Sequence, residues 1–316
     1  MAFFKYGYHE IHYVFNGPPD RPVITIINGL IQGTQHWTKH TKYFNDAGYR
    51  VLTFDLLGQG SSSKPILFID FDENYKILAA LLDHLQIKKT YVMGISFGGA
   101  IALKLAINCP RKVKGLIPMS TFSEMDEQLF LKGLILYAGM TKIGLEYLVD
   151  LFNAFNFSSP WMLQNKEVLE ISKRKSFSYN DLYAIQNLLE SIRNFRGFTP
   201  DLKKIKCPTL IMNAEFDFLT PRWCHEVMRK NIKNSRLMLM QHVCHAFTIE
   251  IPEITCRVIV DFMEQVENKK WKGDQSVWIA ANDPKADILA FPCEGDHTRG
   301  IPLFHQKKGK GNVGWH

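Results

Sequence analysis

The residues best suited to covalent chemistry are Gly94-Ile95-Ser96-Phe97-Gly98, followed by Gly99-Ala100. A serine hydroxyl is a weak nucleophile and needs a base beside it. Glycines two before and two after it let neighbouring backbones approach closely, as a sharp and strained turn requires. If the serine opens a helix, backbone N–H groups point at the negative charge that develops on an attacked carbonyl. Two histidines compete for the base, His245 and His242, three residues apart. The acid that would orient it is Asp217 or Asp55, each at the end of a strand pattern, with Asp126 and Asp150 as weaker rivals in a helical stretch.

These side chains need elements to hold them. Val23–Ile27, Arg50–Phe54, Thr90–Met93 and Val113–Met119 are short apolar runs rich in β-branched residues. Between them, about 35–47, 70–86 and 97–108 carry apolar residues at helical spacing. Buried strands alternating with helices predict an α/β fold, a mostly parallel twisted sheet covered on both faces. Residues 3–15 read as two strands of an antiparallel edge hairpin. From about 122 to 200 the pattern is helical only. The alternation then returns with a strand at Cys207–Met212, a helix at Pro221–Lys230, a strand at Arg236–Met240 and a helix at Thr248–Glu267. Ser96, Asp217 and His245 each follow a strand, and ligands gather at the C-terminal edge of such sheets.

In this order the motifs resemble the α/β-hydrolase superfamily, of the single-domain serine esterase, lipase and acyltransferase type. Five segments carry the resemblance: Asn28-Gly29-Leu30, Phe54-Asp55-Leu-Leu-Gly58-Gln-Gly60-Ser61-Ser62, Gly94-x-Ser96-x-Gly98-Gly99, Asp217 with Thr220-Pro221, and His245 with Glu250-x-Pro252. It covers about residues 1–267 and implies a helical cap at 122–200, inserted after the sixth strand. It implies Ser96 as nucleophile, His245 as base and Asp217 as acid, with the backbone N–H groups of Leu30 and Phe97 as oxyanion hole. It makes Asp55 structural. Two positions depart from the pattern: Asn28 stands where the family usually has His, and Cys244 where it often has Gly. Certain acyltransferases share the Asn-Gly pair, which keeps acyl transfer from a thioester to a hydroxyl open beside hydrolysis. Cys244 reads as packing rather than as a second nucleophile.

The cap is apolar, with Leu129, Phe130, Leu131, Leu134, Leu136, Tyr137, Phe152, Phe155, Phe157 and Trp161. It favours a small-molecule ester or thioester with an apolar acyl group, in a pocket to which Asn28, His36 and Trp161 contribute. His36 also reads as a helix cap. Lys173, Arg174 and Lys175 read as a solvated helix face, with docking of an acyl carrier protein or coenzyme A thioester as the functional alternative. No cofactor and no metal is implied, and a ligand-binding protein without turnover is the remaining class.

With 46% hydrophobic and 22% charged residues, the 316-residue chain can bury a large core, which excludes wholesale disorder. The net charge is +7, but residues 268–316 carry +3 of it and the other 267 residues only +4, so no nucleic-acid face is signalled. Six widely spaced cysteines form no CxxC pair. The N-terminus lacks a signal-peptide layout and no stretch is apolar enough to span a membrane, so a cytoplasmic protein is expected. Residues 268–316 lie outside the resemblance as a C-terminal extension of unknown role. Within it, Ser276–Ala281 and Ala286–Phe291 read as short strands, Phe304 and Trp315 as further apolar residues, and Lys307-Lys-Gly-Lys-Gly-Asn as flexible.

Overall fold

The computed structural model describes residues 2–66 and 69–293. Ten strands form one sheet: β1 (Ala2–Tyr6), β2 (His9–Asn16), β3 (Val23–Ile27), β4 (Arg50–Phe54), β5 (Thr90–Ile95), β6 (Val113–Met119), β7 (Thr209–Ala214), β8 (Ser235–Met240), β9 (Val277–Ala280) and β10 (Ala290–Pro292). Their order is β1-β2-β4-β3-β5-β6-β7-β8-β9-β10. The hairpin β1–β2 joins β4 antiparallel, the run from β4 to β9 is parallel, and β10 closes the far edge antiparallel. β5 and β7 are buried at every position, as strands covered on both faces must be.

The helices are α1 (Thr38–Asp46), α2 (Phe71–His84), α3 (Phe97–Asn108), α4 (Glu127–Lys142), α5 (Leu145–Asn156), α6 (Ser159–Gln164), α7 (Lys166–Tyr179), α8 (Leu182–Arg193), α9 (Arg222–Asn231), α10 (Phe247–Glu250) and α11 (Pro252–Glu267). Helices α4 to α8 form the cap between β6 and β7. The chain shows the α/β-hydrolase arrangement, with two apolar clusters on the two faces of the sheet. One holds Leu78, Leu81, Ile101 and Leu105 with Leu188 of the cap; the other holds Phe44, Tyr91, Ile259 and Phe262.

The helix expected over Thr248–Glu267 is broken at Ile251. Pro252 disfavours helical backbone at the residue before it and starts α11 as its first residue. The two short strands expected after residue 275 form at Val277–Ala280 and Ala290–Pro292. The second starts late because Asp283 caps a turn, accepting from Lys285 N at 2.8 Å. The extension up to Cys293 thus continues the sheet. Trp271 packs on Phe262 at 4.6 Å, and Arg236 pairs with Asp274 through two 3.0 Å contacts. Phe304, Trp315 and the Lys307 run lie outside the described residues. Among the described residues, no helix is long and apolar enough to cross a membrane.

Candidate active site

Ser96 links β5 directly to α3 with φ 54° and ψ −118°. That left-handed backbone is strained for a side-chain-bearing residue. The glycines make it possible. A Cβ on Gly94 would lie 2.3 Å from Gly98 O, and one on Gly98 would lie 2.4 Å from Asn28 O. A Cβ on Gly99 would lie 2.5 Å from Thr121 Cβ. The turn is therefore packed backbone against backbone. Ser96 is the one partly exposed residue between Thr90 and Leu103, so the hydroxyl-bearing position is the opening in a buried segment.

Asp217 and His245 meet. His245 Nδ1 lies 2.9 Å from Asp217 Oδ1 and 3.0 Å from Oδ2. A carboxylate only accepts, so Nδ1–H donates and Nε2 is left as the acceptor. Both residues are buried. Thr220 donates twice to the carboxylate, from its N–H and its hydroxyl, each at 2.8 Å, and Asn213 Nδ2 donates at 3.2 Å. Burial alone would raise the Asp217 carboxyl, but the imidazole of His245, with the His225 ring and the Thr220 N–H, outweighs it and holds it below its ordinary value. Asp217 therefore stays ionised at neutral pH.

The end of β6 and the two residues after it, Ser120 and Thr121, bind the serine and histidine segments together. Ser96 N donates to Met119 O at 2.9 Å, and Ser120 Oγ donates to His245 O at 3.0 Å. Thr121 Oγ1 then donates to Ser96 O at 2.7 Å. Its own N–H donates to His225 Nε2 at 3.0 Å. Burial pushes His225 down to about 4, so this ring is neutral and free to accept. Sequence reading did not single out Ser120, Thr121 or His225. They contribute through backbone placement, which leaves no motif.

The loop after β3 lies against this turn, through the contact of Gly98 with the backbone of Ile27 and Asn28. Phe97 is the first residue of α3, where an N–H has no partner within the helix. The structure gives Asn28 a different place from the pocket wall expected of it. It is fully buried, its Nδ2 donates to Phe54 O at 2.7 Å, and its Oδ1 accepts from Trp37 Nε1 at 2.6 Å. With both ends of the amide used, it ties the loop to β4. His36 accepts from Gly33 N at 3.0 Å, a helix-capping contact, and burial holds it below its ordinary value. Trp161 stacks on Phe157 with ring centres 4.4 Å apart.

The rival residues are used elsewhere. His242 is exposed, and its N–H donates to Glu215 at 2.9 Å. Asp126 caps α4 by accepting from Leu129 N at 2.8 Å. Asp150 accepts from Lys173 at 2.8 Å, so Lys173 pairs within the cap. Asp55 is the hub of a second buried pair. It lies 2.9 Å from His12 Nδ1 and accepts from Thr34 N at 2.7 Å and Ser61 N at 2.8 Å.

The cap grips both loops of the Asp217–His245 pair. Glu250 accepts from Cys244 N at 2.9 Å through one oxygen and from the Ser158 hydroxyl through the other. Ala246 N donates to Asn156 O at 2.9 Å. Phe155 packs on Phe218 at 5.2 Å, and Lys132 donates to Phe218 O. Burial, reinforced by Glu250, pushes the Cys244 thiol up to about 11, so it carries no thiolate at neutral pH. Among the described residues no cluster of His, Cys, Asp and Glu is arranged to hold a metal ion.

A family model described as Hydrolase_4, serine aminopeptidase S33, matches residues 18–252. The chain is 23% identical over 264 residues to the protein named carbamate hydrolase RutD from Variovorax paradoxus, covering 81% of this chain and 97% of that one. It is 24% identical over 246 residues to 3-oxoadipate enol-lactonase 2 from Acinetobacter baylyi, covering 77% and 89%. The fold is that of the enol-lactonase from Burkholderia xenovorans LB400, with a TM-score of 0.76, 20% identity, and coverage of 83% of this chain and 100% of that one.

Proposed function

The chain belongs to the Hydrolase_4 family of α/β-hydrolases and is a hydrolase of ester-like substrates; from that premise we propose that it cleaves a carboxylic ester or thioester with an apolar acyl group through an acyl-enzyme on Ser96. The observation that carries the reading is the buried Asp217–His245 pair, bonded to the segment after β6 that also holds the Ser96 turn. The relatives named for a carbamate and an enol-lactone support a small substrate with a heteroatom on its carbonyl.

In this mechanism Ser96 Oγ attacks the carbonyl carbon while its proton passes to His245 Nε2. Asp217 holds the ring in the tautomer that can accept and stabilises the imidazolium. The Leu30 and Phe97 N–H groups take the charge on the carbonyl oxygen. The imidazolium returns the proton to the departing alcohol or thiol. Water, deprotonated by His245, then attacks the acyl-enzyme and releases the acid and Ser96. A cap held on both loops keeps bulk water from the intermediate.

The test is an acyl chain-length series of p-nitrophenyl esters and thioesters, with a lactone added, alongside labelling by a fluorophosphonate probe. Wild-type protein should turn over esters and take up the probe, and Ser96→Ala should do neither. Undiminished turnover by folded Ser96→Ala would overturn the reading.

A further inference from the structure

We propose that Gln59 is a positioning residue that aims the Leu30 N–H into the oxyanion hole by holding the carbonyl on the other side of the same peptide group. The inference rests on the acyl-enzyme reading above and assigns a task to a side chain 30 positions along the chain from the peptide it holds, to which that reading gives no role.

Gln59 is fully buried in the turn between Asp55 and Ser62. Its Nε2 donates to Gly29 O at 3.2 Å. The Gly29–Leu30 peptide is planar and trans, so its C=O and N–H point in opposite directions. Holding the carbonyl from one side therefore fixes the direction of the N–H on the other. The preceding N–H is fixed as well, since Gly29 N donates to Gln32 Oε1 at 2.9 Å. The loop does not hold this shape by its own preference. Ile31, a β-branched residue, sits at φ 62°, in the left-handed region such residues avoid. External clamps must supply the difference, and Gln59 is the one on the carbonyl of the amide that matters.

Gln59 is itself rigidly held. Gly58 and Gly60 on either side have φ 96° and 53°. A Cβ on Gly60 would lie 2.4 Å from the Asp55 carboxylate, and Ser61 N donates to that carboxylate at 2.8 Å. Gln59 N donates to Leu56 O at 2.8 Å, and Ser62 N donates to Gln59 O at 3.1 Å.

The other end of the side chain points to the same role. Gln59 Oε1 is buried and has no hydrogen-bond partner among the described residues. Burying an unmatched amide oxygen is unfavourable, and leucine or methionine would fill the space without that penalty. What the amide adds is a donor aimed at one carbonyl.

The test uses Gln59→Leu and Gln59→Met in the full-length protein, with p-nitrophenyl butyrate as substrate. A trifluoromethyl ketone that forms a tetrahedral adduct on the active serine serves as probe of the hole. Loss of aim should lower kcat by about 10- to 100-fold. KM should stay within about twofold, the ketone should bind more weakly by the same factor as kcat falls, and Tm should move by only a few degrees. Gln59→Glu, which sets an acceptor against the Gly29 carbonyl, should lose at least as much at neutral pH.

Unchanged kcat and ketone affinity in folded variants would overturn the proposal. So would failure of all three variants to fold, which would make Gln59 a stability residue. If Ser96→Ala keeps wild-type turnover, the acyl-enzyme reading fails and this proposal falls with it. That outcome is distinct from Gln59 variants without effect in a Ser96-dependent enzyme.

Discussion

Two buried His–Asp pairs sit in one molecule. His245–Asp217 and His12–Asp55 have the same 2.9 Å nitrogen-to-oxygen separation, and each carboxylate also takes backbone N–H donors. Distance and burial do not tell them apart. What differs is where the histidine lies and what holds it. His12 is within β2, next to the sheet edge, with Phe3 against its ring at 5.4 Å. His245 is on a loop beyond β8, its carbonyl bound by Ser120 and its neighbours bound to the cap. The first pair fastens strand β2, the loop after β3 and the glycine-rich turn to one another. The second joins the loops after β7 and β8, and consecutive residues after β6 bond to the backbone of His245 and of Ser96. A buried His–Asp contact can thus lock backbone, and in the proposed acyl-enzyme mechanism the pair on the loops would also prime a base.

The comparison breaks most clearly at the two aspartates. Asp217→Asn should lower kcat on a p-nitrophenyl ester by on the order of 10⁴-fold, because the amide no longer favours the productive tautomer, while Tm changes little. A Tm loss without a rate loss would reverse the roles of the two pairs. Asp55→Ala should do the opposite. It strands Thr34 N, Ser61 N and the His12 ring, so urea unfolding should show a loss of about 3–5 kcal/mol, with kcat of the folded fraction within about tenfold of wild type.

A pH series sharpens the contrast, because the Asp217 side contains a third buried histidine. His225 is held at about 4 by burial, against about 6.5 when unfolded. Between those values the unfolded chain binds the extra proton, so stability is present above about pH 6.5 and is lost as pH falls towards 4. The full loss is about 3 kcal/mol. His225→Gln, which can still accept from Thr121, should flatten part of this slope in thermal melts. His40, also pushed to about 4 by burial, supplies another part. Asp217, depressed when folded, adds a loss only below its unfolded value near pH 4. An unchanged slope in His225→Gln would remove His225 from this account. The smallest expected effect is at the cap. Ser158→Ala should cost about 1 kcal/mol and a few-fold in kcat, by leaving Glu250 Oε2 with only the Ser158 N–H at 3.3 Å as donor. Full activity at unchanged Tm would show that this tie does not steady the His245 loop.

Much of the fold was legible. The run Val23–Ile27 is β-branched at every position, as suits a covered strand, and the glycines around Ser96 specify a turn that only close backbone packing explains. The break before Pro252 and the late start of β10 were less legible, since each depends on one local bond or one steric clash. At the site, the sequence marked Ser96, Asp217 and His245 by type, order and position after strands. It misplaced Asn28, because a family position says where a side chain starts and not which partners exhaust it.

The sequence by itself therefore determined the chemistry available: a serine in a glycine turn, an acid and a base after successive strands, and a helical stretch to cover them. Only the tertiary structure decided which histidine pairs with which aspartate, that Met119 and Ser120 bind the serine and histidine segments side by side, and that Gln59 reaches Gly29. Periodicity and turn chemistry are local and can be read along the chain. Contacts between residues tens to hundreds of positions apart depend on strand order and on which side chains use up each other's hydrogen bonds, and a linear sequence states neither.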